Sequence, residues 1–348
     1  MKYNEARKPK DRDFLRTVEG MFFCVTGYLH PPDRCTAYLK YSPTSQGKWQ
    51  DEATAYRREL PYYHVRNVEK TVDYLEENYP AYVYDCPVRD FRFSMVPRER
   101  VARYYAPEKR MRDLVADPRD TLEVQVQGMV QEVARATSIE PDALGITGSI
   151  LIGLHNPDFS DIDLTIYGLR NAQRLRAALF ARDLGAFRPL GASFIDQWSK
   201  GIADRFPLSA RQARFFARRR WNYGTYQGRY FSVHPIRSDD EIVEAYGDHI
   251  YRGEGYAHIE ATVLDATEAL FMPAVYRVNQ VRVLEGNPAA VAVQEVVSYE
   301  GLFRDIADAG SVVEAKGKLE TVDGQPHRLV IGSTKLAGQG YLIPADIA

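Results

Sequence analysis

The stretch that most restricts the fold of this chain runs Leu144-Gly-Ile-Thr-Gly148-Ser149-Ile-Leu-Ile-Gly153-Leu-His-Asn-Pro-Asp-Phe-Ser-Asp161-Ile-Asp163-Leu-Thr-Ile-Tyr167. Its second half alternates with the two-residue period of a strand. The carboxylates of Asp161 and Asp163 therefore leave one face, while Ile162, Leu164 and Ile166 enter a core. Two like charges on one face repel unless cations lie between them, and paired Mg²⁺ ions roughly 3.5 to 4 Å apart are what in-line displacement at phosphorus uses. Upstream of the acids, Gly148 lets a phosphate approach the backbone and Ser149 offers it a hydroxyl; a short helix opening at Ile150 would add free N–H groups. A lone Asp-x-Asp is common on exposed strands. A strand, a Gly-Ser bend, a loop and then an acidic strand form a far narrower pattern.

What precedes and follows that pattern suits an α/β core. Asp117-Pro-Arg-Asp120 reads as a boundary, with Asp120 capping a helix from Thr121 to about Ala136 and Glu123 reaching back as in a capping box. Leu122, Val126, Met129, Val130 and Val133 share one face of that helix and should pack on a sheet. Amphipathic helices are expected again over 171–184 and 209–221, so residues 118–252 read as the core domain. Before it, residues 1–117 read as a small α+β module. There the strands Met21–Gly27 and Cys35–Tyr41 flank a His30-Pro-Pro-Asp33 turn, and Val68, Val72 and Leu75 mark a helix. After it, residues 253–348 alternate in five runs, beginning near His258, Ala274, Val291, Val312 and His327. Short strands separated by Gly, Asn and Asp turns predict a β-rich domain, a small barrel or sandwich, with an OB-like barrel as the specific expectation. The expected class is thus α+β and multidomain.

Composition sets the outer bounds. With 348 residues, 45% hydrophobic and 26% charged, the chain should fold throughout and into more than one core. A net charge of -2 means that any affinity for polyanions must come from a local basic patch. Cys24, Cys35 and Cys86 are scattered, without zinc-ligand spacing. The polar N-terminus, Met1 to Arg16, and the lack of any apolar run of membrane-spanning length make a cytoplasmic location the expectation.

The Gly148-Ser149 bend followed by Asp161-Ile-Asp163 resembles the signature of the DNA polymerase β superfamily of nucleotidyltransferases. Gly27-Tyr-Leu-His-Pro-Pro-Asp33 and Val297-Ser-Tyr-Glu-Gly301 are similar to phrases of a poorly characterised group of archaeal and bacterial proteins predicted to be nucleotidyltransferases. The resemblance implies a polymerase β-like core and Mg²⁺, or Mn²⁺, on Asp161 and Asp163. It also implies that Gly148 and Ser149 hold the triphosphate of an NTP such as ATP, and that a third carboxylate stands on a later strand. The sequence departs from that last point. The best candidate strand, Arg229-Tyr-Phe-Ser232-Val-His234-Pro-Ile236, carries no acid, and Asp239, Asp240, Glu241, Glu260 and Asp265 are the remaining candidates. His234 can substitute as ligand or base, or be structural; His155 is placed to meet phosphate or base.

A second feature is basic and aromatic. Arg211, Arg214, Arg218, Arg219, Arg220 and Arg229 alternate with Phe215, Phe216, Trp221, Tyr223, Tyr226 and Tyr230. Such a mixture pairs phosphates and stacks bases, which suits an RNA or DNA acceptor; a solvated basic face balanced by acids explains it equally well. Three functions stay open: transfer of NMP to a hydroxyl, foremost a nucleic-acid 3′ end, with release of pyrophosphate; a catalytically weak or inactive protein of that fold that binds RNA or DNA; and nucleotidylation of a partner protein.

Overall fold

The computed structural model describes residues 7–51, 53–60, 62–333, 336 and 338–347. The first six residues of the polar N-terminal stretch lie outside them. The chain is mixed α+β and forms two compact units, each assembled from three segments: Met1–Pro61, Met95–Leu190 and Trp221–Val243 in one, Tyr62–Ser94, Gly191–Arg220 and Glu244–Ala348 in the other.

The first unit holds two sheets. Strands β1 (Phe14–Thr17), β2 (Phe22–Val25), β3 (Arg34–Thr44), β4 (Trp49–Gln50), β5 (Ala55–Arg58) and β8 (Val101–Tyr105) pair antiparallel in the order β4-β5-β3-β2-β1-β8. Phe14, Leu15, Phe22, Phe23 and Leu39 are buried along it, as the apolar runs demand. The expected hairpin is present, with Cys24 opposite Tyr38. Strand β7 (Phe91–Pro97) lends its last three residues to β3. The second sheet combines β9 (Leu144–Ile146), β10 (Ile162–Tyr167), β11 (Phe187–Pro189), β12 (Tyr223–Tyr226) and β13 (Arg229–Ile236) in the order β11-β12-β13-β10-β9. Only β10 and β13 run parallel.

Helices α2 (Pro107–Ala116), α3 (Thr121–Thr137), α4 (Gly148–Ile152) and α5 (Leu169–Ala181) complete this unit. All five apolar positions expected on α3 are buried, each worth about 1.5–3 kcal/mol relative to exposure. Asp120 caps α3 by accepting from the Leu122 and Glu123 amides. The reciprocal arm of a capping box is absent: Glu123 accepts from the Arg119 amide and pairs with Arg110.

In the second unit, α1 (Val65–Asn78) is the helix that Val68, Val72 and Leu75 mark, and β6 (Val83–Cys86) pairs with the earlier residues of β7. Helix α6 (Ala192–Arg205), which charged and glycine residues obscure in the sequence, precedes α7 (Ala210–Arg219). The β-rich expectation is met by β14 (Tyr251–Asp265), β15 (Ala274–Gly286), β16 (Glu295–Ser298), β17 (Val312–Val322), β18 (Gln325–Ile331) and β19 (Tyr341–Pro344). They form a closed ring, β14-β15-β16-β18-β17 and back to β14, with β19 on β17; only β16 and β18 are parallel. Register shifts along the fifteen-residue β14 bend it enough to pair on both edges. Ile259, Val263, Tyr276, Val296 and Leu329 fill the ring, and Phe206 and Phe216 pack on Phe303 beside it. Among the described residues no helix is long and apolar enough to cross a membrane.

Candidate active site around Asp161 and Asp163

The alternation in the acidic segment has the expected effect on packing. Ile162, Leu164 and Ile166 are fully buried, while Asp163 stays partly open and Asp161, just ahead of β10, is exposed. The Gly-Ser bend lies directly against Asp163. The Thr147 amide donates to the Asp163 carbonyl at 2.8 Å, and a Cβ placed on Gly148 would fall 2.4 Å from Asp163 Oδ2. Gly148 also has φ +67°, a conformation that side-chain-bearing residues avoid. Steric room and backbone conformation thus both call for glycine, and the result is a carboxylate in contact with the bend. Ser149 is half-buried on α4.

The loop between bend and acids is well anchored. His155 Nε2 bonds Asp120 Oδ2 at 2.8 Å, the Asn156 amide donates to Ser160 Oγ, and Arg229 donates to the carbonyls of Pro157 and Asp158. His155 is therefore tied to the cap of α3. Asp120, Glu123 and His155 are close enough to suggest a metal site. Their charge is already met: Arg110 pairs with Glu123, and Asp120 caps the helix with its other oxygen.

Parallel pairing of β10 with β13 sets Asp163 opposite Ser232 and Thr165 opposite His234. Ser232 Oγ donates to Asp163 Oδ1 at 2.5 Å and lies 2.8 Å from His234 Nε2. Since the serine proton goes to the aspartate, His234 Nε2–H is the donor to serine, giving a relay His234 to Ser232 to Asp163. His234 Nε2 stands 4.0 Å from Asp163 Oδ1. Burial works against the Asp163 charge, yet His234 and Ser232 together hold its pKa well below the usual carboxylate range. Asp161 moves the other way, pushed up to about 6 by desolvation and then by the like charge of Asp163. One ionised carboxylate beside one reluctant to ionise is an arrangement that a divalent cation relieves, so the pair fits such an ion.

The remaining candidates for a third acid are engaged elsewhere. Asp239 pairs with Lys10 at 2.8 Å, exposed Asp240 is hydrogen-bonded to the Ser238 side chain, and Glu241 accepts from the Leu169 and Ser238 amides. In the second unit Glu260 pairs with Arg282, and Asp265 accepts from the Thr267 amide.

Of the cations that act on this site, Arg229 belongs to the basic segment evident in the sequence, while Lys40, Lys48 and Arg58 carry no such local signal. Arg58, Arg229 and Lys48 favour the charged form of Asp161, and Lys40 that of Asp163. Lys40 is itself brought down to about 8 by burial and then by Arg58. Lys48 Nζ sits 3.9 Å from the ring centre of Phe159 in the anchored loop. Arg12 is fixed to the bend through its backbone: Thr147 Oγ1 donates to the Arg12 carbonyl at 2.7 Å. The one signal available beforehand was a lysine at 40 inside the otherwise buried run of β3.

The arginine-rich segment belongs mainly to the second unit. Arg214 pairs with Asp196 at 2.9 Å, Arg219 with Asp308 at 2.7 Å, and Arg220 donates to the Gly301 carbonyl. Arg211 and Arg218 are exposed, and Phe216 is buried beneath them. Cys24, Cys35 and Cys86 are buried free thiols.

No protein-family model matches the chain, and no solved structure does. Over 350 aligned residues, covering 96% of this chain and 98% of the other, it is 29% identical to a protein of Methanocaldococcus jannaschii described as uncharacterized protein MJ1086.

Proposed function

We propose that the first unit is a divalent-cation-dependent nucleotidyltransferase of the polymerase β type, transferring NMP from an NTP such as ATP to a hydroxyl acceptor. The observation that carries this reading is the contact between the Gly148 bend and the Asp163 carboxylate, with Asp161 two residues away. A mixed sheet in which the acidic strand lies between β9 and β13 supports it as well. Asp161 and Asp163 would hold Mg²⁺ or Mn²⁺, which would supply Lewis acidity to the phosphate chain. The Gly148 bend and Ser149 seat the phosphate chain, and Lys40, Lys48 and Arg58 neutralise it. The acceptor oxygen then bonds to the α-phosphorus, the bond to the β-bridging oxygen breaks, pyrophosphate departs, and the hydroxyl proton passes to solvent. Alignment and neutralisation supply most of the acceleration.

The acceptor we favour is a nucleic-acid 3′ end. The five-stranded ring of the second unit has the strand order of an OB-like barrel, and exposed Arg211 and Arg218 add positive charge to that unit; this is fold analogy. A second reading, a weak or inactive enzyme that binds RNA or DNA, draws on Ser232 at the position where a third carboxylate is expected. Radiolabelled NTPs with Mg²⁺ or Mn²⁺ and mixed RNA, DNA and protein acceptors separate the two. Label transfer that Asp161→Asn abolishes supports the enzyme, and label on polypeptide identifies protein nucleotidylation. Salt-sensitive RNA binding without transfer, unchanged in Asp161→Asn, sinks the enzymatic reading.

A further inference from the structure

Ser232, bonded to Asp163, fills the place beside the acid pair from which a third carboxylate would help to hold a second metal ion. Asp239, Asp240 and Glu241, the nearby acids in sequence, are committed to Lys10, to the Ser238 side chain and to backbone amides. The surroundings are also positive rather than negative, because Lys40, Lys48, Arg58 and Arg229 all act on the two aspartates. Two divalent ions would add four positive charges to two carboxylates in a setting already rich in cations. The second ion would find no third protein carboxylate and would have to take its ligands from the phosphate chain, where these side-chain cations compete with it.

The cations are placed as a built feature. Lys40 lies on β3 with its Nζ 5.8 Å from the ring centre of Tyr38. Arg58 ends β5, opposite Tyr41 on the same sheet. Arg12 holds a left-handed backbone at φ +71°, which a residue with a side chain adopts only when surroundings impose it. Those surroundings are the Thr147 hydroxyl on its carbonyl and the Val25 carbonyl on its amide. Its Nε is 3.5 Å from Asp11, a single carboxylate that the Gly27 amide shares. The strain buys an arginine tied, through Thr147, to the residue before the Gly148 bend.

We propose that this centre works with one divalent cation, held by Asp161 and Asp163, and that Lys40 with Arg58 supplies on the phosphate chain the charge that a second ion would bring. The inference rests on the nucleotidyltransferase reading for its ligand, a nucleoside triphosphate, but its test needs no turnover. Mn²⁺ titrated into the full chain without polyphosphate, and counted by the loss of its free electron paramagnetic resonance signal, should saturate at one ion per chain; Ser232→Asp should raise the count to two. In metal-free buffer, calorimetric affinity for tripolyphosphate should fall about tenfold in Lys40→Gln and largely return in Lys40→Arg, the loss expected for one charge-assisted contact. ATP should compete with tripolyphosphate for the same site.

Two tightly held Mn²⁺ ions per parent chain would overturn the proposal, as would a Lys40→Gln chain that folds and binds tripolyphosphate as the parent does. One Mn²⁺ with Lys40-dependent tripolyphosphate binding, but no nucleotide transfer to any acceptor, would sink the catalytic reading and leave this one standing. Transfer with two Mn²⁺ would do the reverse.

Discussion

Thr147 donates its hydroxyl to the carbonyl of Arg12 at 2.7 Å, joining a residue of the N-terminal sheet region to the one that precedes the Gly-Ser bend. Arg12 keeps a positive φ under that restraint, so the backbone there is strained for any residue but glycine. Arg12→Ala should retain the strain and Arg12→Gly should release it. Urea melts should place the glycine variant about 1 kcal/mol above the alanine variant. Equal midpoints would mean that Arg12 does not hold this conformation in solution.

Gly148→Ala combines two penalties: a left-handed φ and a Cβ 2.4 Å from Asp163 Oδ2. Either the bend or β10 must shift, at a cost on the order of 1–3 kcal/mol. Because the contact is with the carboxylate itself, Mn²⁺ affinity should fall more steeply than stability does. A chain with wild-type Mn²⁺ affinity and this substitution would show that the bend and the acid are not in contact.

Arg110 supplies the positive charge in the Asp120, Glu123 and His155 cluster, where the Glu123 side chain is almost fully buried. Arg110→Met should leave a buried carboxylate unpaired and cost about 3–5 kcal/mol, whereas the double change with Glu123→Gln should recover much of that. Added Zn²⁺ should not stabilise the parent chain. A rise in melting temperature with Zn²⁺ that Glu123→Gln abolishes would establish a metal site there instead.

Local periodicity made most of the secondary structure readable. The α3 face, the β10 alternation and the five runs of the ring each repeat an apolar spacing over enough residues to outweigh local ambiguity. Residues 101–114 were less legible, since one charged stretch contains both the end of a sheet and the start of α2, with Pro107 separating them. The acid pair and its bend were visible because they are close in sequence. The cations were not: Lys40 and Arg58 stand on the other sheet, more than a hundred residues from Asp163 and Asp161 in sequence, and no local pattern encodes that approach. Conversely, the arginine run at 211–220 is conspicuous because it is contiguous, yet Asp196, Asp308 and the Gly301 carbonyl engage Arg214, Arg219 and Arg220.

Two buried groups in the second unit should give opposing pH dependences over nearly the same range. Glu300 accepts from the Val65 amide at the start of α1, and burial raises it to about 7. Its folded pKa exceeds the unfolded value near 4.5, so the stability it contributes is full below that value and is lost as pH rises through about 7. The swing is on the order of 3 kcal/mol. His64 caps the same helix, and burial, then Arg66 and Arg205, lower it to about 4. Its contribution is full above about 6.5 and is lost as pH falls toward 4. Between pH 4.5 and 6.5 the two slopes oppose each other. Glu300→Gln, which keeps the acceptor for Val65, should therefore make stability climb with pH more steeply than in the parent and should be the more stable chain at pH 8. His64→Asn, which keeps a capping acceptor, should make stability fall with pH across the same interval. Urea midpoints at pH 4.5, 5.5, 6.5 and 8 decide the matter: parallel curves for parent and Glu300→Gln would show that Glu300 is already ionised in the folded chain at acid pH.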